Sequence, residues 1–324
     1  ILNGAVSGIG GLIKNGTADL TLNHANNYLG ATALNSDKLI VGASGALGAG
    51  ALNAAANTTL DSNTAVSLSN QVNMAGALNI GGTADLTLTG LVNGAGNLVK
   101  NGVANLTLNG ANGFLGGTTL NAGTLTVGNG SALGLGNLTV GGAATLDSNA
   151  PVSLGNNVAL NADLTVGGTS NLTLGGVVNG THQLIKNGAA NLTLNGVNTY
   201  QGDTTLNAGS LTLGNGAALG AGALIVGGTS TLDNSAAFNV ANAMTLNADL
   251  NVAGNNNLNL AGVIDGAGAL NKNGLSDLTL SGNNAFTGAL NILSGSVTAA
   301  STGALGNTSG ANVSAGASLN LGTD

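Results

Sequence analysis

The sequence predicts an all-β chain wound as a parallel β-helix, a β-solenoid with three short strands per coil. Three observations predict it. A long internal repeat runs through the chain. Within each repeat, short triads alternate apolar, Thr, apolar. The composition is nearly free of charge and crowded with Gly, Asn and Thr.

Composition narrows the class first. The chain has 324 residues, of which only 5% are charged and 43% hydrophobic. An ordinary globular domain carries about 25% charged residues. The apolar content is too high for a disordered chain. One Pro and no strict Gly-X-Y period exclude collagen. The net charge of −7 comes from scattered Asp, and five isolated Lys make no basic patch, so no nucleic-acid partner is expected. No apolar run reaches the roughly 18 residues of a membrane helix, so no transmembrane segment is expected in this chain. The absence of Cys excludes disulfides and thiolate metal sites. The start Ile1-Leu2-Asn3-Gly4 lacks a basic leader region and reads as a mature fragment or an excerpt.

Lysine gives the repeat. Lys14, Lys100, Lys186 and Lys272 are each 86 residues apart, within LIKNGTADLTLN, LVKNGVANLTLN, LIKNGAANLTLN and LNKNGLSDLTLS. Tyr28, Phe114, Tyr200 and Phe286 keep the same step, as do Asp61, Asp147 and Asp233. Residues 1–10 align with 87–96, so the chain opens on the tail of a repeat. One solenoid segment, 1–324, is expected. It comprises a partial repeat 1–10, full repeats 11–96, 97–182 and 183–268, and a partial repeat 269–324. Both ends read as cut from, or merging into, a longer array.

The triads justify the strands. Leu106-Thr107-Leu108, Leu125-Thr126-Val127, Leu138-Thr139-Val140 and Leu172-Thr173-Leu174 show the period-2 alternation of half-buried strands. Leu and Val should point inward and stack on the coil above, with Thr outward. About a dozen such patches per repeat, taken three to a coil, predict about four coils of roughly 21–22 residues per repeat. About fifteen coils at a spacing of about 4.8 Å would extend on the order of 70 Å. Asn15-Gly16, Asn101-Gly102, Asn187-Gly188 and Asn273-Gly274 are expected at turns.

The run over residues 184–211, recurring at 98–125, 12–39 and 270–297, resembles the passenger-associated transport repeat. That repeat is also called the autotransporter-associated β-strand repeat. The resemblance covers about a third of each 86-residue unit. It implies a right-handed parallel β-helix in a passenger domain of a Gram-negative autotransporter. It implies secretion through a C-terminal membrane barrel (type V secretion), with the repeat aiding that step by folding outside the cell. An extracellular location follows, at the bacterial cell surface, on the outer membrane, or free after secretion. Adhesion, aggregation or surface coating is the implied role. The family supplies no catalytic residues. Residues 289–324 contain no aromatic and do not read as the barrel.

The recurrent residues are expected to define the repeat structurally. Lys14, Lys100, Lys186 and Lys272 read as solvated turn residues beside Asn-Gly. Tyr28, Phe114, Tyr200 and Phe286 read as corner caps over the core rather than sugar platforms. Asp61, Asp147 and Asp233 read as turn acids. A hydrolase would need a unique carboxylate pair roughly 5–10 Å apart, whereas these acids are periodic, as are Asp163 and Asp249. Asp19 and Asp277 become Asn105 and Asn191 in the middle repeats. His24 and His182 occupy different repeat positions, so no His ligand pair is expected. No enzyme activity, cofactor or metal is therefore expected.

Two functions compete. One is a structural stalk, coat, filament or adhesin surface. Its partners would be neighbouring copies of the same protein and a host or bacterial cell surface. The alternative is an ice- or crystal-binding solenoid using outward Thr, as at Thr87, Thr107, Thr126 and Thr139.

Overall fold

Short β-favouring triads separated by Gly- and Asn-rich corners leave the backbone one economical arrangement, in which each triad pairs with its counterpart in the next coil. The computed structural model describes residues 1–254 and 256–322. Every named element among them is a β-strand, and the strands stack in parallel as a β-solenoid. The chain divides into two compact units, Ile1–Ala162 and Asp163–Asp324.

In the first unit, one sheet holds Leu12–Lys14, Thr32–Leu34, Leu52–Ala54, Val72–Met74 and Val92–Gly94. A second includes Leu20–Leu22, Lys38–Val41, Thr58–Ser62, Leu78–Ile80, Leu98–Lys100, Thr118–Leu120 and Leu138–Val140. A third includes Val66–Leu68, Leu86–Leu88, Leu106–Leu108, Thr124–Val127 and Ala144–Ser148. The chain visits them in rotation, as in Val66–Leu68, Val72–Met74, Leu78–Ile80 and then Leu86–Leu88 beside the first. Three short strands make a coil.

The second unit repeats the plan. One sheet includes Leu184–Lys186, Thr204–Leu206, Leu224–Val226, Met244–Leu246 and Ile264–Gly266. A second includes Asn191–Leu194, Ser210–Leu213, Ser230–Asn234, Leu250–Val252, Leu270–Lys272, Leu290–Ile292 and Ala311–Val313. A third holds Phe238–Val240, Leu258–Leu260, Asp277–Leu280, Ser296–Ala299 and Ser318–Leu321.

The coil is shorter than a quarter of the repeat, and this changes what the repeat does. Leu12 pairs with Thr32, Thr32 with Leu52, Leu52 with Val72 and Val72 with Val92. The side-chain bond from Asn35 to Asn15 spans the same sequence separation of 20. Four such coils fall short of one repeat, and the remainder supplies one more strand and corner. Leu98–Lys100, the counterpart of Leu12–Lys14, accordingly lies on the next sheet. The same shift separates Leu184–Lys186 from Leu270–Lys272 in the second unit. Each repeat is therefore four coils and a third, and within each unit like residues of successive repeats face different sides.

The core follows from the triads. First and third residues are buried and the middle one is half-exposed, as in Leu138–Val140 and Leu172–Leu174. Each fully buried Leu or Val contributes about 1.5–3 kcal/mol of transfer free energy. Two stretches of the first repeat, 26–28 and 43–48, form no strand yet bury Tyr28, Ala46 and Leu47.

Candidate functional site: the buried lysine corner

The four recurrent lysines are not solvated. Each is the third residue of its strand, an inward position, and exposure is 4% at Lys14, 0% at Lys100 and Lys186, and 1% at Lys272. This corrects the expectation from the neighbouring Asn-Gly. The strand alternation, not the turn, decides where the side chain points. The aliphatic stem lies in the core and the ammonium reaches the corner.

There it donates to main-chain carbonyls. Lys14 Nζ reaches Gly16 O at 2.7 Å and Ser36 O at 3.1 Å. Lys100 reaches Gly102 O, and Ala122 O at 3.1 Å. Lys186 reaches Asn187 O at 2.6 Å, Gly188 O at 2.7 Å and Ala208 O at 3.4 Å. Lys272 reaches Gly274 O. Ser36, Ala122 and Ala208 each belong to the following coil. Burial holds the Lys100 and Lys272 ammonium groups below the usual lysine range, partly opposed by the charge of Asp85 and Asp277 respectively. The Asn-Gly pairs do form corners, although only Gly16 and Gly188 adopt positive φ, 74° and 69°.

The four recurrent aromatics, Tyr28, Phe114, Tyr200 and Phe286, are buried, at most 2% exposed. The Tyr28 and Tyr200 hydroxyls hydrogen-bond to Thr32 and Thr204. Burial raises both phenol pKa values, that of Tyr200 to about 12. Where Phe114 replaces Tyr, Thr118 instead donates to Leu133 O at 3.2 Å. The rings of Tyr28, Phe114 and Tyr200 lie under the turn glycines Gly48, Gly134 and Gly220, which places the recurrent Ala-Leu-Gly turn over them.

The acids lie within strands rather than closing turns. Asp61, Asp147 and Asp233 are fourth residues of five-residue strands. Each accepts a hydrogen bond from the next amide, Ser62, Ser148 or Asn234, at 2.9, 2.8 and 2.8 Å. Asp61 also accepts from Thr83 N and Oγ1, and Lys38 lies 3.9 Å away. His182 sits 3.2 Å from Asp163 at the surface. The Asp163 carboxyl is held below its usual range, chiefly by the Gln183 side chain. Among the described residues no group of three or more His, Asp or Glu is placed to hold a metal ion, and no helix is long and apolar enough to cross a membrane.

One recurrent set is missed by sequence reasoning. Asn26, Asn112, Asn198 and Asn284, with the same repeat step, each accept from a main-chain N–H of the preceding coil and donate to a carbonyl of the following one. Their spacing is visible in the sequence. Their burial is not, because Asn is abundant at exposed corners here.

These corners coincide with a known repeat. The passenger-associated-transport-repeat family model matches residues 12–36, 98–127, 184–213 and 270–299. Four stretches of the chain thus match that repeat. Each match begins at the first residue of a lysine strand and runs past the aromatic. These repeats suggest an autotransporter passenger region, and a family of that kind implies a surface or secreted protein. Neither a curated protein nor a solved structure matches the chain.

Proposed function

We propose that this chain is a non-catalytic structural segment of an autotransporter-type passenger. It acts outside the cell as a stalk, coat or filament whose surface adheres to further copies of itself. One observation carries the reading. The recurrent residues Lys14 and Tyr28, like their equivalents, are buried and bond inside the coils, and Thr and Asn supply much of the outward columns. Thr119 and Thr139 stand side by side in one such column, both half-exposed. Asn251, Asn271, Asn291 and Asn312 form another, joined side chain to side chain at 3.1, 2.7 and 2.7 Å. Two copies share the same coil spacing, so such columns can meet in register along their length.

Sedimentation of the purified chain, and settling of cells displaying it, test the proposal. Concentration-dependent association is expected, and replacing Asn251, Asn271 and Asn291 by Asp should disperse it while the far-UV spectrum persists. A chain that stays monomeric and non-adherent at every concentration refutes self-adhesion. Thermal hysteresis from such a monomer would instead favour the ice-binding alternative.

A further inference from the structure

We infer that the Lys-Asn corner is a register lock, a device that fixes which strand of the next coil may stack on the lysine strand. The difficulty it meets is visible in the triads. A solenoid of near-identical Leu-Thr-Leu strands can lengthen one coil by a strand with little change in what it buries. Register is well specified only where the buried pattern discriminates.

At the lysine strand the apolar pattern points the wrong way. Leu98–Lys100 stacks on Thr118–Leu120, which presents Thr118 inward, paired with Leu98 and 2% exposed. The strand after it, Thr124–Val127, presents Leu125 and Val127 inward. Stacking Leu98 on Leu125 would bury more apolar surface, in a coil enlarged by one strand and its corner. The first repeat has the same choice between Thr32–Leu34 and Lys38–Val41. The third has it between Thr204–Leu206 and Ser210–Leu213.

Two polar contacts oppose the slip. The lysine ammonium donates to a carbonyl in the corner that follows the correct strand: Ser36, Ala122 or Ala208. The next residue, Asn15, Asn101 or Asn187, accepts a side-chain hydrogen bond from Asn35, Asn121 or Asn207 at 2.8, 2.7 and 2.8 Å. After the wrong strand the equivalent residue is Gly42, Gly128 or Gly214, which has no side chain to offer. The fourth repeat supports the inference from the other side. There the inward residue is Leu290, not Thr, so the apolar pattern already specifies the register, and Leu293 stands where the partner Asn would be. A buried charge retained for specificity more than for stability is a known use of such groups.

The test uses the full chain, which has no Cys of its own. Val99→Cys with Thr119→Cys reports the native pairing, and Val99→Cys with Thr126→Cys reports the slipped one. Adjacent-strand positions fall within disulfide reach. Each pair is refolded under mild oxidation with the four lysines intact, or with all four replaced by Met. With lysine, only the 99–119 disulfide is expected. With Met, the 99–126 disulfide should appear while the melting temperature holds or rises. A Met chain that still forms only the 99–119 disulfide overturns the inference. A Met chain that melts lower without slipping, or fails to fold, also overturns it, because the lysines would then be stabilising staples. Asn121→Ala, which removes the second contact but no buried charge, should by itself give some 99–126 product, and none would count against the lock.

Discussion

Asn112 donates through Nδ2 to the carbonyl of Ala132, one coil ahead, at 2.7 Å. Its Oδ1 accepts from Val92 N, one coil behind, at 2.8 Å. One side chain thus ties three coils together where the backbone ladder has no strand. Asn112→Ala leaves an N–H and a carbonyl buried without partners, and should cost about 2–4 kcal/mol. Asn73→Ala, which removes two exposed side-chain bonds, one donated to Asn53 and one accepted from Gln71, should stay within about 0.5 kcal/mol. Urea unfolding of the two variants checks the contrast, with hydrogen exchange reporting whether opening centres on the coils of Asn112.

Gly134 is required twice over. Its φ is 70°, and a Cβ there would lie 2.5 Å from Phe114 O and 2.7 Å from the Phe114 ring. Gly134→Ala should destabilise by roughly 1–3 kcal/mol through strain and displacement of the ring. Gly155, where a Cβ would meet nothing within 4 Å and φ is ordinary, is the control. Gly155→Ala should be neutral or slightly stabilising by thermal melting. Equal losses at the two positions would mean that the ring is not held from above.

The solenoid is legible in the sequence because its signal is local. Leu106-Thr107-Leu108 declares a half-buried strand on its own, and the lysine step declares the period. The site is less legible because it depends on where the alternation falls. Lys100 sits beside Asn-Gly, the surroundings of an exposed residue, yet the third place in Leu98–Lys100 is inward, and that consideration wins. Coil length is hidden for a related reason. Dividing the repeat by four presumes whole coils, whereas the pairing of Leu12 with Thr32 sets a shorter coil and leaves one strand over. The bridging asparagines share their residue type with many exposed corners, so only the three-dimensional stack separates Asn112 from Asn121.

Alkaline titration separates the two kinds of buried group. The Tyr200 phenol has its pKa raised by burial to about 12 in the folded chain, against about 10 unfolded. The folded state therefore keeps a proton that the unfolded state loses. This contribution is intact below about pH 10 and is lost as pH climbs from about 10 to about 12. Lys100 and Lys272 have the opposite sign. Burial lowers their pKa values, so between the lowered values and about 10.5 the unfolded state holds more protons, and their contribution grows as pH rises. Melting temperature followed from neutral pH upward should accordingly hold or rise slightly, then fall steeply beyond about pH 10. Tyr200→Phe, the residue type already present at Phe114 and Phe286, should cost less than about 1.5 kcal/mol at neutral pH through the lost bond to Thr204. The same substitution should flatten the alkaline fall, leaving the smaller share of Tyr28, whose pKa is raised in the same sense. A variant curve that overlays the wild type above about pH 10 would mean that the phenol reaches solvent before the coils open.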